Sequence, residues 1–166
     1  MNPSAYSEKI NGDILFCCIG TTIKTAGSQE AFSKVDFQIP VAFAKVAHQN
    51  NLPQYLMVSS LGADQNSSNF YLKTKGRCET EIAKIGLKSF SAFQPSMLLG
   101  KRTEFRLGEM IGKVIMTGLS FLFIGPIRKY KAIQGSAVAK AMIKIALQNK
   151  TGNAVYRSDE IETIAK

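Results

Sequence analysis

The sequence is short of the residues that build metal sites and disulfide frameworks, with one histidine and three cysteines among 166 residues. His48 has no acidic or cysteine partner near it in sequence, so a surface or helix-end role is expected rather than metal ligation. Cys17 and Cys18 are adjacent and Cys78 stands alone. That odd count makes no disulfide scaffold and points to a reducing compartment. An apolar leader is lacking as well: Met1, Asn2, Pro3 and Ser4 run into polar residues, so no signal peptide and a cytoplasmic location are expected. There is no internal repeat, low-complexity segment or linker, which leaves a single domain over 1–166, long enough to bury a core. Acidic residues are scarce, 12 against 21 lysines and arginines, for a net charge of +9. The cations are spread along the chain and no nucleic-acid-binding signature accompanies them. A generally basic, solvated surface is the reading, and nucleic acid is not an expected partner.

What is present alternates in the manner of an α/β protein. Residues 13–19 form a continuous apolar run of strand length, suited to a parallel strand buried on both faces. Gly20, Thr21 and Thr22 follow at its carboxyl end, where open α/β sheets bind ligands. From position alone, a cofactor loop and a plain turn are equally open there. Residues 4–11 read as the end of a helix closed by Gly12, and 23–33 as a loop with a short helical turn. A longer helix is expected over 34–49, where Val35, Ile39, Ala42, Phe43, Val46 and Ala47 recur at helical spacing. Pro40 should kink that helix or mark its first turn. Strands are expected at 54–59 and 88–94. Between them, Ser67, Ser68 and Asn69 offer N-caps for a helix running to Ile85 and closed by Gly86. Cys78, on that helix, reads as a small core residue.

The most hydrophobic tract is 110–127. Gly112, Lys113, Gly118 and a closing Gly-Pro argue against a membrane span. A core-facing helix, or one lining an apolar pocket, is expected; shallow contact with a membrane surface through Arg128, Lys129 and Lys131 is the alternative. Residues 132–150 make an amphipathic helix with Val138, Met142, Ile145 and Ala146 on one face. Gly152 then opens a short strand, and Ser158 is expected to cap a last helix.

The chemistry concentrates in YLMVSSLGADQNSSNFYLKTK, residues 55–75. Tyr71 and Lys75 lie four residues apart, on one face of the expected helix. A nearby ammonium favours phenolate, so the tyrosine is expected to titrate below its usual value of about 10. A phenol so tuned exchanges a proton with a carbonyl or alcohol. Ser59 or Ser60, at the mouth of the preceding strand, is placed to hydrogen-bond the same oxygen. Glu79, at i+4 from Lys75, is expected to pair with it. Tyr-x-x-x-Lys alone says little, because a surface lysine beside a half-buried tyrosine has the same spacing. The strand, the serine pair, the loop and the helix around it add the specificity.

In that context the residues resemble the Ser–Tyr–Lys site of the short-chain dehydrogenase/reductase superfamily. They are most similar to its atypical branch of Tat-interacting-protein-like oxidoreductases, whose bacterial relatives are often labelled nucleoside-diphosphate-sugar epimerases. The blocks that carry the resemblance are DILFCCIGTT (13–22), VD (35–36), VSSLGAD (58–64), SSNFYLKTKGRCE (67–79) and QPSMLLGKRTEFRLGE (94–109). The resemblance implies an α/β fold, an NAD(P)-binding Rossmann-like three-layer parallel sheet. It implies hydride transfer between NADP or NAD and a small-molecule carbonyl or alcohol. Ser60 or Ser59 would orient the substrate oxygen, Tyr71 would act as general acid/base, and Lys75 would tune Tyr71 and hold the nicotinamide ribose. Cofactor contacts would fall on Gly20, Thr21, Thr22, Tyr71, Lys75, Pro95 and Ser96. Arg102 and Arg106 would bind an acidic substrate group, or form a salt-bridged cap with Glu104 and Glu109. A homodimer through the helices flanking the site is the assembly the superfamily suggests.

The sequence also departs from the family pattern. Gln94-Pro95 stands where the family usually carries Arg-Pro. The dinucleotide fingerprint G-x-G-x-x-G does not occur. The first strands and that turn are expected to be missing, with 13–19 becoming an edge strand. Without the turn that grips the pyrophosphate, weak dinucleotide binding by this chain alone is expected, and micromolar affinity in isothermal titration would contradict it. The alternatives to an oxidoreductase or epimerase are a catalytically weak dinucleotide-sensing or protein-binding regulator, and a truncated, inactive fragment of such an enzyme. The substrate is not identified by these residues, although the apolar tract at 110–127 leans toward a greasy one.

Overall fold

The computed structural model describes residues 7–99 and 129–166. In chain order the elements are β1 (Ile14–Cys17), α1 (Ile23–Ala26), α2 (Gln29–Ser33), a π-helical segment (Lys34–Gln38), α3 (Ile39–Gln49), β2 (Gln54–Val58), α4 (Phe70–Ala83), β3 (Ser89–Gln94), β4 (Leu98–Leu99), β5 (Ile133–Gln134), α5 (Gly135–Ala146), β6 (Gly152–Arg157) and α6 (Ser158–Ala165). Four strands make one parallel sheet in the order β1-β2-β3-β6, and β4 pairs with β5 in a small second sheet, also parallel. One row across the main sheet runs Ile14, Gln54, Ser89, Gly152, so the strands are in step and end at a common edge.

Side chains alternate across a strand, and here the alternation sorts two cores. Tyr55, Met57, Phe90 and Ala92 point to one face and pack with Ala44 and Ala47 of α3 and with Cys78 and Ile82 of α4. Leu56 and Phe93 point to the other, against Val138, Ala141, Met142 and Ile145 of α5 and Ile161 of α6. Each large apolar side chain so buried contributes about 1.5–3 kcal/mol. Helices cover both faces, giving the three-layer parallel α/β fold.

The differences from the sequence expectations have physical causes. β1 is shorter than 13–19 and is not buried on both sides: Phe16 is 45% exposed. Among the described residues β1 pairs only with β2, so its second edge and part of one face stay open. The expected loop at 23–33 holds two short helices, because Thr22 and Ser28 each cap one, accepting from the N–H groups of Thr25 and Ala31. The expected helix at 34–49 starts with a wide turn in which the Ile39 N–H reaches back five residues to the Lys34 carbonyl. Pro40 follows in the first turn of α3. Having no N–H, it could not have continued a regular ladder.

Downstream, α4 begins where Asn69 Oδ1 accepts the Leu72 N–H at 3.1 Å. Gly86 follows the helix with φ +87°. Arg157, not Ser158, is the N-cap of α6, its N–H donating to the Glu160 carboxylate at 2.7 Å. Only a short turn over 7–9 precedes Gly12 among the described residues. Arg102, Arg106, Arg128 and the tract at 110–127 lie outside the described residues. Among those described, no helix is long and apolar enough to cross a membrane.

Candidate functional site

The carboxyl ends of β1, β2 and β3 open onto a cleft of about 790 Å³. Gly20, Thr21, Thr22, Ser59, Ser60, Tyr71, Lys75, Pro95 and Ser96 all contribute to its walls. Of the candidate site residues, only Arg102 and Arg106 are not described.

Helix α4 carries the two central groups. The Asn69 cap sets Phe70 as its first residue, which puts Tyr71 in the first turn and Lys75 one turn on. Phe32 is fully buried on α2, and its ring lies 5.5 Å from the Tyr71 ring at 43° and 6.0 Å from Phe70. The tyrosine ring is therefore held from behind by aromatic packing. Lys75 is 4% exposed, and its ammonium lies 2.7 Å from Asp36 Oδ1. The other carboxylate oxygen, Oδ2, accepts the Thr21 N–H at 2.8 Å. Burial alone would push the lysine down; Asp36, with a smaller contribution from Tyr71, outweighs that and holds it above its ordinary value. Lys75 thus lines the cleft with its ammonium form favoured by Asp36.

This corrects the pairing expected for Glu79. Its carboxylate accepts the Ser59 hydroxyl through Oε1, and Gln94 Nε2 donates to both oxygens, at 3.0 and 2.9 Å. Burial pushes the Glu79 carboxyl up, and the bonds from Ser59 and Gln94, with the charge of Lys75, offset only part of that. Strand parity explains the arrangement. Tyr55, Met57 and Ser59 share the face that packs on α4, and Gln94 shares it with Phe90 and Ala92. Ser59 is thus directed at Glu79 and its hydroxyl is occupied. Ser60, just past the strand, lines the cleft, and its hydroxyl makes no such bond among the described residues.

The cofactor-side candidates divide in a similar way. Gly20 packs closely on the ion pair: a Cβ there would lie 3.3 Å from Asp36 Oδ1, a tight contact, and 3.6 Å from Lys75 Nζ. The Thr21 N–H is committed to Asp36, and the Thr22 hydroxyl caps α1. Pro95 keeps β3 tied to the loop after β2, its carbonyl accepting the Leu61 N–H at 2.9 Å. The Ser96 hydroxyl donates to the Lys131 carbonyl and accepts from the Ser158 hydroxyl, so it pins loops together. Ser96 nevertheless lines the cleft. Cys78 is buried, with its thiol pushed up to about 12 by that burial, as expected of a core residue.

Asp36 was not among the site residues expected from sequence, nor were Met97, Leu98 and Tyr130, which also line the cleft. A signal for Asp36 existed. It shares a helical stripe with Ile39, Pro40 and Phe43, and an acid on an apolar stripe requires a buried partner.

No protein-family model matches the chain. The Candida albicans "Protein FMP52, mitochondrial" is 34% identical over 147 residues, covering 88% of this chain and 63% of that protein. The Rattus norvegicus "Protein HTATIP2" is 36% identical over 109 residues, covering 65% of this chain and 45% of that protein. The chain belongs to this family, an atypical branch of the short-chain dehydrogenases/reductases. It spans less than two thirds of the length of both relatives. Among solved structures, MoeE5 in complex with UDP-glucose and NAD superposes with a TM-score of 0.63 at 12% identity, covering 92% of this chain and 61% of that one. The human epimerase family protein SDR39U1 with NADPH gives 0.62 at 13%, covering 95% and 63%. At such identities these two establish the Rossmann-type fold and nothing finer. The cytoplasmic location expected from composition is overturned, because FMP52 relatives from several fungi carry "mitochondrial" in their names. Free thiols do not distinguish one reducing compartment from another.

Proposed function

We propose that the cleft is the proton-transfer and substrate-orienting part of an NAD(P)-dependent oxidoreductase or epimerase site. The observation that carries this reading is the convergence of Tyr71, Lys75 and Ser60 on one cleft at the carboxyl edge of the sheet. In this reading the substrate is a small-molecule carbonyl or alcohol. Ser60 donates a hydrogen bond to its oxygen. The Tyr71 hydroxyl gives that oxygen a proton on reduction and takes it back on oxidation. Lys75 stays charged through Asp36 and faces the ribose of the nicotinamide end. The residues present fit that end of a dinucleotide: Gly20 brings loop backbone over Lys75 without a side chain between them, and Pro95 and Ser96 supply the opposite wall. When bound, the dinucleotide supplies or accepts the hydride. MoeE5 with NAD and SDR39U1 with NADPH keep both dinucleotides in play. Met97, Leu98 and Tyr130 give the outer wall an apolar character, which favours a greasy substrate.

The test is NAD(P)H oxidation over a panel of aldehydes, quinones and UDP-sugars, with dinucleotide binding followed by fluorescence. Tyr71→Phe should lower turnover about 10²–10⁴-fold while leaving far-UV circular dichroism and dinucleotide binding intact. Full turnover in that variant refutes the role of Tyr71. A second reading is favoured by one feature, the Lys75 charge already matched by Asp36: a dinucleotide-sensing or partner-binding module with little turnover. Binding of NAD(P)H with no oxidation of it across the panel would select that reading.

A further inference from the structure

Independently of the cleft, we infer that the outward face of α5 is a docking surface for an anionic lipid bilayer. On that face Ser136, Lys140, Ile143, Lys144 and Leu147 form one exposed stripe, opposite the side on which Val138, Met142 and Ile145 pack into the core.

Exposure, charge and composition support the assignment. Leu147 is 73% exposed and Ile143 54%, the two most exposed large apolar side chains among the described residues, and they lie one helical turn apart. Lys140 and Lys144 are one turn apart on the same stripe, so cations and aliphatic side chains interleave. Neither lysine forms an ion pair among the described residues. From Lys129 to Arg157 the chain carries five lysines, one arginine and no acid. On the neighbouring α6, Glu160 accepts the Arg157 N–H at 2.7 Å and Glu162 pairs with Lys131 at 3.3 Å. The residue types then select among anionic partners. Nucleic acid is gripped by cations and hydrogen-bonding groups and would leave Ile143 and Leu147 in water. Protein interfaces favour aromatic residues and arginine and are poor in lysine, whereas this stripe has lysine and neither of the others. Lysine beside aliphatic residues on one helix face suits the headgroup boundary of a bilayer. There the apolar tips enter the acyl region, and the lysine stems lie along it while their ammonium groups reach the phosphates.

The test is cosedimentation of the full chain with vesicles of phosphatidylcholine and phosphatidylglycerol, against vesicles of phosphatidylcholine alone. The chain should bind the anionic vesicles and not the neutral ones, and added NaCl should weaken that binding by screening. A lysine near such a surface contributes about fivefold, so Lys140→Glu/Lys144→Glu should weaken binding about 25-fold or more. Ile143→Ser/Leu147→Ser leaves the charge unchanged and should weaken it about tenfold or more. The same charge change in the opposite layer, at the exposed Lys34 and Lys45, should cost no more than about twofold, because those positions lie beyond the screening length. The sequence contains no tryptophan, so Leu147→Trp gives a single reporter whose emission should shift to the blue on anionic vesicles. That variant alters no charge and keeps the test available should a charge variant misfold. Absence of binding by the wild type, equal binding by the wild type and either stripe variant, or an unmoved Leu147→Trp emission on bound vesicles overturns the proposal. Binding to duplex DNA or polyglutamate that is lost in the charge variant but kept in the apolar one overturns it in favour of a general polyanion site. A concentration-dependent dimer abolished by Ile143→Ser/Leu147→Ser overturns it in favour of a second copy of the chain.

Discussion

Replacing Gly76 with alanine should destabilise the protein, against the ordinary effect of that substitution in a helix. Gly76 is buried in the middle of α4, next to Lys75. An added Cβ would lie 2.2 Å from the Asp64 carbonyl carbon, 2.4 Å from the Gln65 nitrogen and 2.5 Å from the Asp64 Cα. Carbon atoms rest at about 3.5–4.0 Å, so helix and loop would have to part by roughly 1 Å. All three obstacles are backbone and cannot rotate away. The loop is also anchored, with the Asp64 N–H on the Leu72 carbonyl at 3.2 Å and the Ser67 N–H on the Asp64 carbonyl at 3.0 Å. Alanine gains about 1 kcal/mol over glycine in a helix interior. Overpacking costs about 1–3 kcal/mol and occasionally more, and a triple backbone overlap belongs at or beyond the upper end. The net loss is about 2 kcal/mol, which lowers Tm by roughly 4–8 °C in a chain of this size. Urea denaturation followed by circular dichroism, with Tm measured in parallel, is the assay. A Gly76→Ala protein equal to the wild type, or about 1 kcal/mol more stable, would show that propensity alone operates and that the close approach of α4 to the loop is wrong.

Three further variants probe the half-buried Glu79 carboxylate and the helix cap. The Glu79 carboxyl is held above its ordinary value chiefly by burial, so the unfolded chain releases that proton first as pH rises. Between the ordinary carboxylate range and the raised folded value the native state binds more protons, and stability falls with rising pH. Glu79→Gln should remove that decline and be neutral or stabilising near pH 7; stability curves of the two proteins from pH 4 to 8 that run parallel would contradict this. Asn69→Ala removes the acceptor for the Leu72 N–H and should cost about 1 kcal/mol in denaturant titration, whereas Asn69→Asp should keep most of the stability. An unaffected Asn69→Ala variant would mean that the start of α4 is set by packing of Phe70 and Tyr71 instead.

The layers were readable from periodicity because each relevant segment lies in the sheet or against it. The apolar run at 13–19 and the strands expected at 54–59 and 88–94 fall within a residue or two of β1, β2 and β3, and the helical stripe of Val138, Met142 and Ile145 located α5. Failures came where neighbours, not local pattern, decide. Phe16 reads as core in any window of sequence, yet nearly half of it is exposed because β1 pairs on one side only among the described residues. The wide turn before α3 is likewise set by Pro40 and by the reach of Asp36 to Lys75. No propensity scale carries that information.

The site was legible as a set of residue types but not as a wiring diagram. Helical spacing correctly put Tyr71 and Lys75 on one cleft, since both belong to one rigid element. The same rule misassigned the partner of Lys75, because i+4 spacing says which groups are within reach and not which other acceptors and donors compete for them. Parity of β2 could have resolved the competition. Tyr55 and Met57 are strongly apolar and must face a helix layer, so Ser59 shares their face and Ser60 is the first residue free to turn toward the cleft. Once Ser59 and Gln94 are committed to that face, Glu79 has its donors. Lys75 is then left to the one acid on the apolar stripe of 34–49, which is Asp36. The ion pair that organises the cleft thus follows from strand parity and an elimination among buried charges, a route that depends on knowing which helix lies against which face.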